Sequence, residues 1–114
     1  MPEASSLDLL VLLCMGHFVG DFVLQHDRMA IEKCSGRDST LPWRWWLAGH
    51  CSCHGRIVAL LTGVPLLGLA EFVVHWLLDW SKCRFGFSLG FDQLLHLVCK
   101  VVWVAVLGLQ VAGR

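Results

Sequence analysis

The chain has 114 residues and no net formal charge, with nine basic and nine acidic side chains. Hydrophobic residues make up 56% of it, above the roughly 45–50% of ordinary soluble domains, and only 16% are charged. The balanced charge argues against a nucleic-acid-binding protein, which needs a basic surplus. The composition favours an integral membrane protein that forms a single domain, residues 1–114.

Four apolar segments predict transmembrane helices over about 7–27, 42–62, 65–82 and 91–111, with a polar connector at 28–41. Ser5 and Asp8 fit a capping box before the first helix. This segment lacks a basic start and carries a His and an Asp, so we interpret it as a retained helix and not a signal peptide. The predicted fold is an all-α four-helix bundle that crosses the membrane up-down-up-down.

Each predicted helix carries one pair of ionisable residues four positions apart. This spacing places both side chains on one helix face, one turn apart. In up-down-up-down order, all four pairs also lie on the same side of the membrane. The pairs are His17 and Asp21, His50 and His54, His75 and Asp79, and Asp92 and His96.

These pairs predict a metal site in the bundle core. An ionisable group at the centre of a membrane helix costs roughly 2.5–3.5 kcal/mol, and a divalent cation would compensate buried carboxylates. Five His and three Asp form a nitrogen and oxygen ligand set, which favours zinc, with iron or manganese as alternatives. Eight ligands are enough for two ions.

Further polar residues lie near the same helix faces. We predict Asp79 and Glu71 as catalytic groups that handle a proton. Outer partners of the ligands or substrate-binding groups are predicted at Gln25, Arg56, Lys82, Gln93 and Lys100. For Arg56 and Lys100, snorkelling or pairing between helices is the alternative.

The six cysteines show neither a C-x-x-C nor a zinc-finger spacing. We interpret them as small apolar side chains, with Cys53 as an alternative metal ligand. No disulfide is expected, and Cys34 and Cys83 are predicted to be free thiols.

The connectors on one side are rich in basic residues, which marks the cytoplasmic side of a membrane. We therefore predict a metal site near the cytoplasmic face and both termini outside. The basic residues are Arg28, Lys33, Arg37, Arg44, Lys82 and Arg84.

At these motifs the sequence resembles the DUF3307 membrane proteins of bacteria and their phages. The resemblance rests on GHFVGDFVLQ up to Gln25, on His50-x-x-x-His54, on His75-x-x-x-Asp79-x-x-Lys82 and on Asp92-Gln93-x-x-His96. It covers nearly the whole chain and implies no established activity. A more distant similarity links it to inner-membrane metal-dependent hydrolases, which also carry His and Asp pairs in apolar helices.

The favoured function is a metal-dependent hydrolase acting on a lipid or amphiphilic substrate, such as an amphiphilic phosphate, because the site lies inside the bilayer. One alternative is a di-iron lipid oxidase or hydroxylase, since these also use His-x-x-x-His. Another is a non-catalytic phage or bacterial membrane effector with a structural metal site.

Overall fold

The computed structural model describes residues 5–112, all of whose regular elements are helical. Helix α1 spans Ser6–Phe18 and continues as a π-helical segment, Val19–Val23. The remaining elements are α2 at Asp27–Glu32, α3 at Trp43–Thr62, α4 at Pro65–Phe85 and α5 at Leu89–Ala112. The expectation of an all-α chain is thus confirmed over this range. The predicted outward orientation concerns the two termini, which lie outside the described residues.

Local sequence accounts for the helix boundaries. The predicted capping box is confirmed: the Ser5 hydroxyl accepts the Asp8 N–H at 3.0 Å, and the Asp8 carboxylate accepts the Ser5 N–H at 3.3 Å. Pro65 occupies the first turn of α4, where its missing N–H costs nothing. Gly63 and Gly86 end α3 and α4 in the left-handed region, at φ 71° and 69°.

The four long helices each contact two others in a closed ring. Helix α1 contacts α3 and α5, and α4 also contacts α3 and α5, while the short α2 packs on α3. Between α3 and α4 the backbones touch: a Cβ added at Gly55 would lie 2.7 Å from the Gly68 carbonyl oxygen. Small residues at such crossings are typical of helices that pack within a membrane.

Polar and apolar side chains are distributed in the reverse of a soluble protein. Among the described residues, eleven polar or charged side chains are buried but only six hydrophobic ones. Many large apolar side chains are exposed along the helices, including Leu66 at 75% and Leu60 at 72%. The segments Ser6–Val23 and Leu89–Leu109 are long and apolar enough to cross a membrane.

The polar connector is more ordered than its composition suggested. Where one helix was predicted to residue 27, the regular structure stops at Val23, and α2 forms within the connector. The buried Glu32 carboxylate accepts the backbone N–H groups of Ser39 and Thr40 at 2.6 and 2.7 Å. These bonds lower the pKa of Glu32 to about 2, since they favour the ionised form.

A disulfide joins Cys34, just after α2, to Cys83 in the last turn of α4. The prediction that these two cysteines are free thiols was therefore wrong. The fold-back of α2 brings their Cα atoms to 5.5 Å, within the range that a disulfide bridges. Their separation of 49 residues gives no local pattern from which this pairing could be read.

Replacing Cys34 with Ser should lower the free energy of unfolding by about 2–4 kcal/mol, because the bond closes a long loop. Denaturant melts in mild detergent measure this change. Alkylation of the unreduced, denatured protein should modify four cysteines, namely Cys14, Cys51, Cys53 and Cys99. Cys14→Ser is the control and should change stability much less; equal losses in both variants would contradict the assignment.

Candidate metal centre

The π-helical segment positions Asp21. Asp21 lies at its centre and is buried, at 8% exposure, beside Gly20. The wider π turn is frequent at functional sites. A Cβ at Gly20 would lie 2.5 Å from Cε1 of His54, so the glycine lets the imidazole approach the backbone closely.

Four side chains from three elements converge on one point. The Oδ1 atom of Asp21 lies 2.9 Å from the Nε2 atom of His54, 3.2 Å from that of His50 and 3.8 Å from that of His75. The Nε2 atoms of His50 and His75 lie 3.2 Å apart. A tetrahedral ion with bonds of 2.0–2.1 Å would hold its ligand atoms about 3.3 Å apart. The four separations, 2.9–3.8 Å, lie around this value.

Two further groups of possible metal ligands adjoin the first, and one of them shares His75 with it. One consists of His17, His75 and His96, and the other of Asp79, Asp92 and His96. The Nε2 atom of His96 lies 3.1 Å from Asp79 Oδ1 and 3.3 Å from Asp92 Oδ1. Within each of the three groups the ligand atoms lie within 4.8 Å of one another, and every member is buried.

Asp79 connects the first group to the third. Its Oδ2 atom lies 3.3 Å from Nε2 of His50 and 3.5 Å from Nε2 of His75, while Oδ1 faces His96. The structure thus brings all eight predicted ligands into one continuous cluster contributed by four helical segments.

Two buried atoms of the cluster lack a hydrogen bond: His17 Nδ1, and Asp92 Oδ1, which has only the 3.3 Å ion-pair contact with His96. Unpaired buried polar atoms are costly and usually mark a missing ion or water. An imidazole nitrogen and a carboxylate oxygen can both donate a lone pair to a metal, so these two atoms suit a bound cation. The three groups contain no cysteine sulfur, so Cys53, the alternative ligand, is not among them.

A carboxylate behind His75 holds this imidazole in place. The Glu71 Oε1 atom lies 3.2 Å from His75 Nδ1, on the side of the ring opposite the cluster. The same carboxylate pairs with the buried Lys100 and accepts the indole N–H of Trp103 at 2.7 Å. Such an arrangement fixes the histidine tautomer and leaves Nε2 as the ligand atom.

Gln93 contacts both members of the first pair, His17 and Asp21. Its Oε1 atom lies 2.8 Å from Nε2 of His17, and its amide donates to Asp21 Oδ2 at 2.8 Å. Of the other predicted outer residues, Gln25 lies next to the cluster and Arg56 does not. Gln25 donates to the backbone oxygen of Asp21 at 3.2 Å, whereas Arg56 is exposed and lines a groove of α3 and α4 outside the cluster.

Two lysines reach the cluster from its connector end. Lys82 Nζ lies 3.4 Å from Asp92 Oδ2, and Lys33 Nζ lies 2.8 Å from Asp79 Oδ2. The contact of Lys33 was missed in the sequence, because it depends on the fold-back of α2 and has no helical spacing. The role of Trp103 was also missed, although it lies three residues after Lys100 and hence on the same helix face.

The fold and this site define an all-helical protein with a buried histidine and carboxylate cluster suited to a metal ion. The family model for proteins of unknown function called DUF3307 matches residues 9–112, so the chain belongs to that family. No curated protein and no solved structure matches the chain.

Replacing Gly20 with Ala should displace the His54 imidazole from Asp21, because the added methyl group would overlap it. We expect a loss of bound metal and a destabilisation of about 1–3 kcal/mol. Metal content and thermal unfolding in detergent measure both effects. Gly108→Ala is the matched control, since its Cβ would meet nothing within 4 Å. Identical behaviour of the two variants would contradict the proposed packing.

Proposed function

We propose that the protein is a membrane-embedded metal-dependent hydrolase with two transition-metal ions, acting on a lipid or other amphiphile. The observation that carries this proposal is the convergence of eight buried His and Asp side chains in three groups, within each of which the ligand atoms lie within 4.8 Å of one another. The first and third groups share no residue, so each can hold one ion, and His17 belongs to neither of them.

The distribution of polarity supports a membrane location. A soluble chain would be destabilised by exposing its apolar helix surfaces to water and by burying charged side chains. Lipid surrounding the ring of α1, α3, α4 and α5 would remove that cost. We therefore propose an up-down-up-down bundle that spans the bilayer, with the metal ligands inside.

The ligand chemistry favours zinc over iron or manganese, because imidazole and carboxylate in a tetrahedral arrangement are typical of zinc sites. A bound ion of this kind lowers the pKa of a coordinated water and supplies a nucleophile at neutral pH. His50, His54 and His75 orient the site through their Nε2 atoms. Asp79 faces His50 through Oδ2 and His96 through Oδ1, and it would serve as the proton acceptor at such a site.

Glu71 has a different role from the one the sequence suggested. Both of its oxygens are engaged, by Lys100 and His75 on one side and by Trp103 on the other. It faces Nδ1 of His75 and not the ligand side of the ring. We propose that Glu71 positions His75, because it lies behind the ring, and that Asp79, whose oxygens face the ligand atoms of His50 and His96, is the proton acceptor.

The metal claim can be tested by ligand replacement. Protein purified without chelator or metal-affinity resin should contain one to two transition-metal ions, and His75→Ala should lose most of them. His75→Ala should also unfold more easily, because its carboxylate neighbours lose a compensating partner. His26→Ala is the control, since His26 caps α2 and lies in none of the three groups. Equal metal content in these two variants would contradict the ligand assignment.

The reaction class is tested separately on the metal-loaded protein. Incubation with a bacterial lipid extract in mixed micelles should release water-soluble head groups, detected by mass spectrometry, and Asp79→Asn should abolish the release. Iron with a visible absorption band, together with oxygen-dependent lipid modification, would instead identify an oxidase. Bound metal with no turnover in either assay would favour a structural site.

We further propose that the cluster lies near the cytoplasmic face, as the basic connectors favour. The Cys34–Cys83 disulfide would then face a reducing compartment, where disulfides are mostly transient.

Introduced cysteines test this orientation in intact bacterial cells. A membrane-impermeant maleimide should label Val64→Cys, in the turn between α3 and α4, before lysis. It should label Ser35→Cys, on the exposed connector, only after lysis. The opposite pattern would reverse the orientation and would make the disulfide a permanent one in an oxidising compartment.

A further inference from the structure

A basic cavity opens next to the metal-ligand cluster. It has a volume of about 270 Å³ and lies between α2 and the C-terminal end of α4, with both disulfide cysteines in its wall. Three of the residues that line it are cationic, and none is acidic: Lys33, Arg37 and Lys82. A half-open cavity with three cations and no carboxylate on its wall favours an anionic ligand.

Two of these cations touch both the cavity and the cluster. Lys33 contacts Asp79 and Lys82 contacts Asp92, at 2.8 and 3.4 Å. An anion in the cavity would therefore be separated by a single lysine ammonium group from each of two carboxylates in the third group, Asp79 and Asp92.

The third cation is free to bind. Arg37 is exposed, and it forms no ion pair within residues 5–112. A guanidinium group offers two parallel N–H donors, which match the oxygens of a phosphate group. The backbone N–H of Arg37 donates to the carbonyl oxygen of Cys34 at 3.1 Å, and Cys34 lies beside Cys83 of α4, so the three cations line one space.

We propose that this cavity binds the phosphate group of the substrate and holds it beside the third metal group. This inference rests on the proposed function and narrows its substrate to a phosphate-containing compound. A membrane phospholipid and a soluble phosphate ester share this chemistry. The aromatic ring of Phe87 and the methyl group of Ala30 complete the wall, which gives the apolar part of an amphiphile a contact surface.

Arg37→Ala is the most informative variant, because Arg37 contacts none of the metal ligands and its loss should leave the cluster intact. Arg44→Ala is its matched control: Arg44 is also exposed, stacks on Trp43 at 5.0 Å and does not line the cavity. Both variants remove one positive charge from the connector end of the molecule.

Binding is measured on full-length, delipidated protein in neutral detergent, with and without chelator. The probes are inorganic phosphate, followed by titration calorimetry, and phosphatidylglycerol against phosphatidylcholine, followed by native mass spectrometry. We expect Arg37→Ala to weaken binding of the phosphate probe about tenfold, the value of one charge-assisted pair, and Arg44→Ala to leave it unchanged. Binding of phosphatidylglycerol would identify a lipid ligand, and binding of inorganic phosphate alone would identify a soluble one.

Equal weakening in the two variants would mean non-specific surface attraction and would overturn the proposal, as would the absence of binding by either probe. If the protein contains no metal as purified but still binds phosphate through Arg37, this result would support the cavity and contradict the proposed function. Protein that contains metal but binds no phosphate would contradict the proposed phosphate binding in the cavity and would not contradict the metal site.

Discussion

The contact between buried carboxylates and imidazole nitrogens is the constraint on which the rest of this structure depends. Asp21, Asp79 and Asp92 are all nearly inaccessible, and an uncompensated carboxylate in such surroundings would cost several kcal/mol. Five histidines direct nitrogen atoms toward them at 2.9–3.8 Å. Lys33 and Lys82 pair with Asp79 and Asp92, whereas Asp21 has no lysine or arginine partner among the described residues, so a divalent cation among the imidazoles would balance its charge.

Other features of the fold serve this cluster. The π-helical segment and Gly20 let Asp21 and His54 meet, and the contact of Gly55 with Gly68 brings α3 and α4 close enough for His50 and His75 to touch. Glu71, Lys100 and Trp103 form a second polar layer behind His75. A bundle with so many buried charges needs each of them paired, because a half-satisfied polar network is less stable than an apolar core.

Helical periodicity was sufficient to find the cluster, because its members come in pairs at the same i, i+4 spacing on each long helix. The same reasoning located Lys100, four residues after His96, whereas Gln93 came from the resemblance to the family motif Asp92-Gln93-x-x-His96. It could not find Lys33, the Cys34–Cys83 bond or the basic cavity, since these depend on how a connector folds back over distant residues. Glu71 was found but given another role, because a one-turn spacing from His75 does not reveal which ring nitrogen it faces.

The coordination of the bound metal tests the central claim most directly. X-ray absorption spectroscopy on the zinc-loaded protein in detergent should show nitrogen and oxygen ligands alone at about 2.0–2.1 Å, with outer-shell scattering from several imidazole rings. Replacement of His50 should reduce that imidazole signal. A sulfur shell near 2.3 Å would instead assign the metal to cysteines such as Cys51 or Cys53, and a spectrum of hydrated zinc alone would contradict the existence of the site.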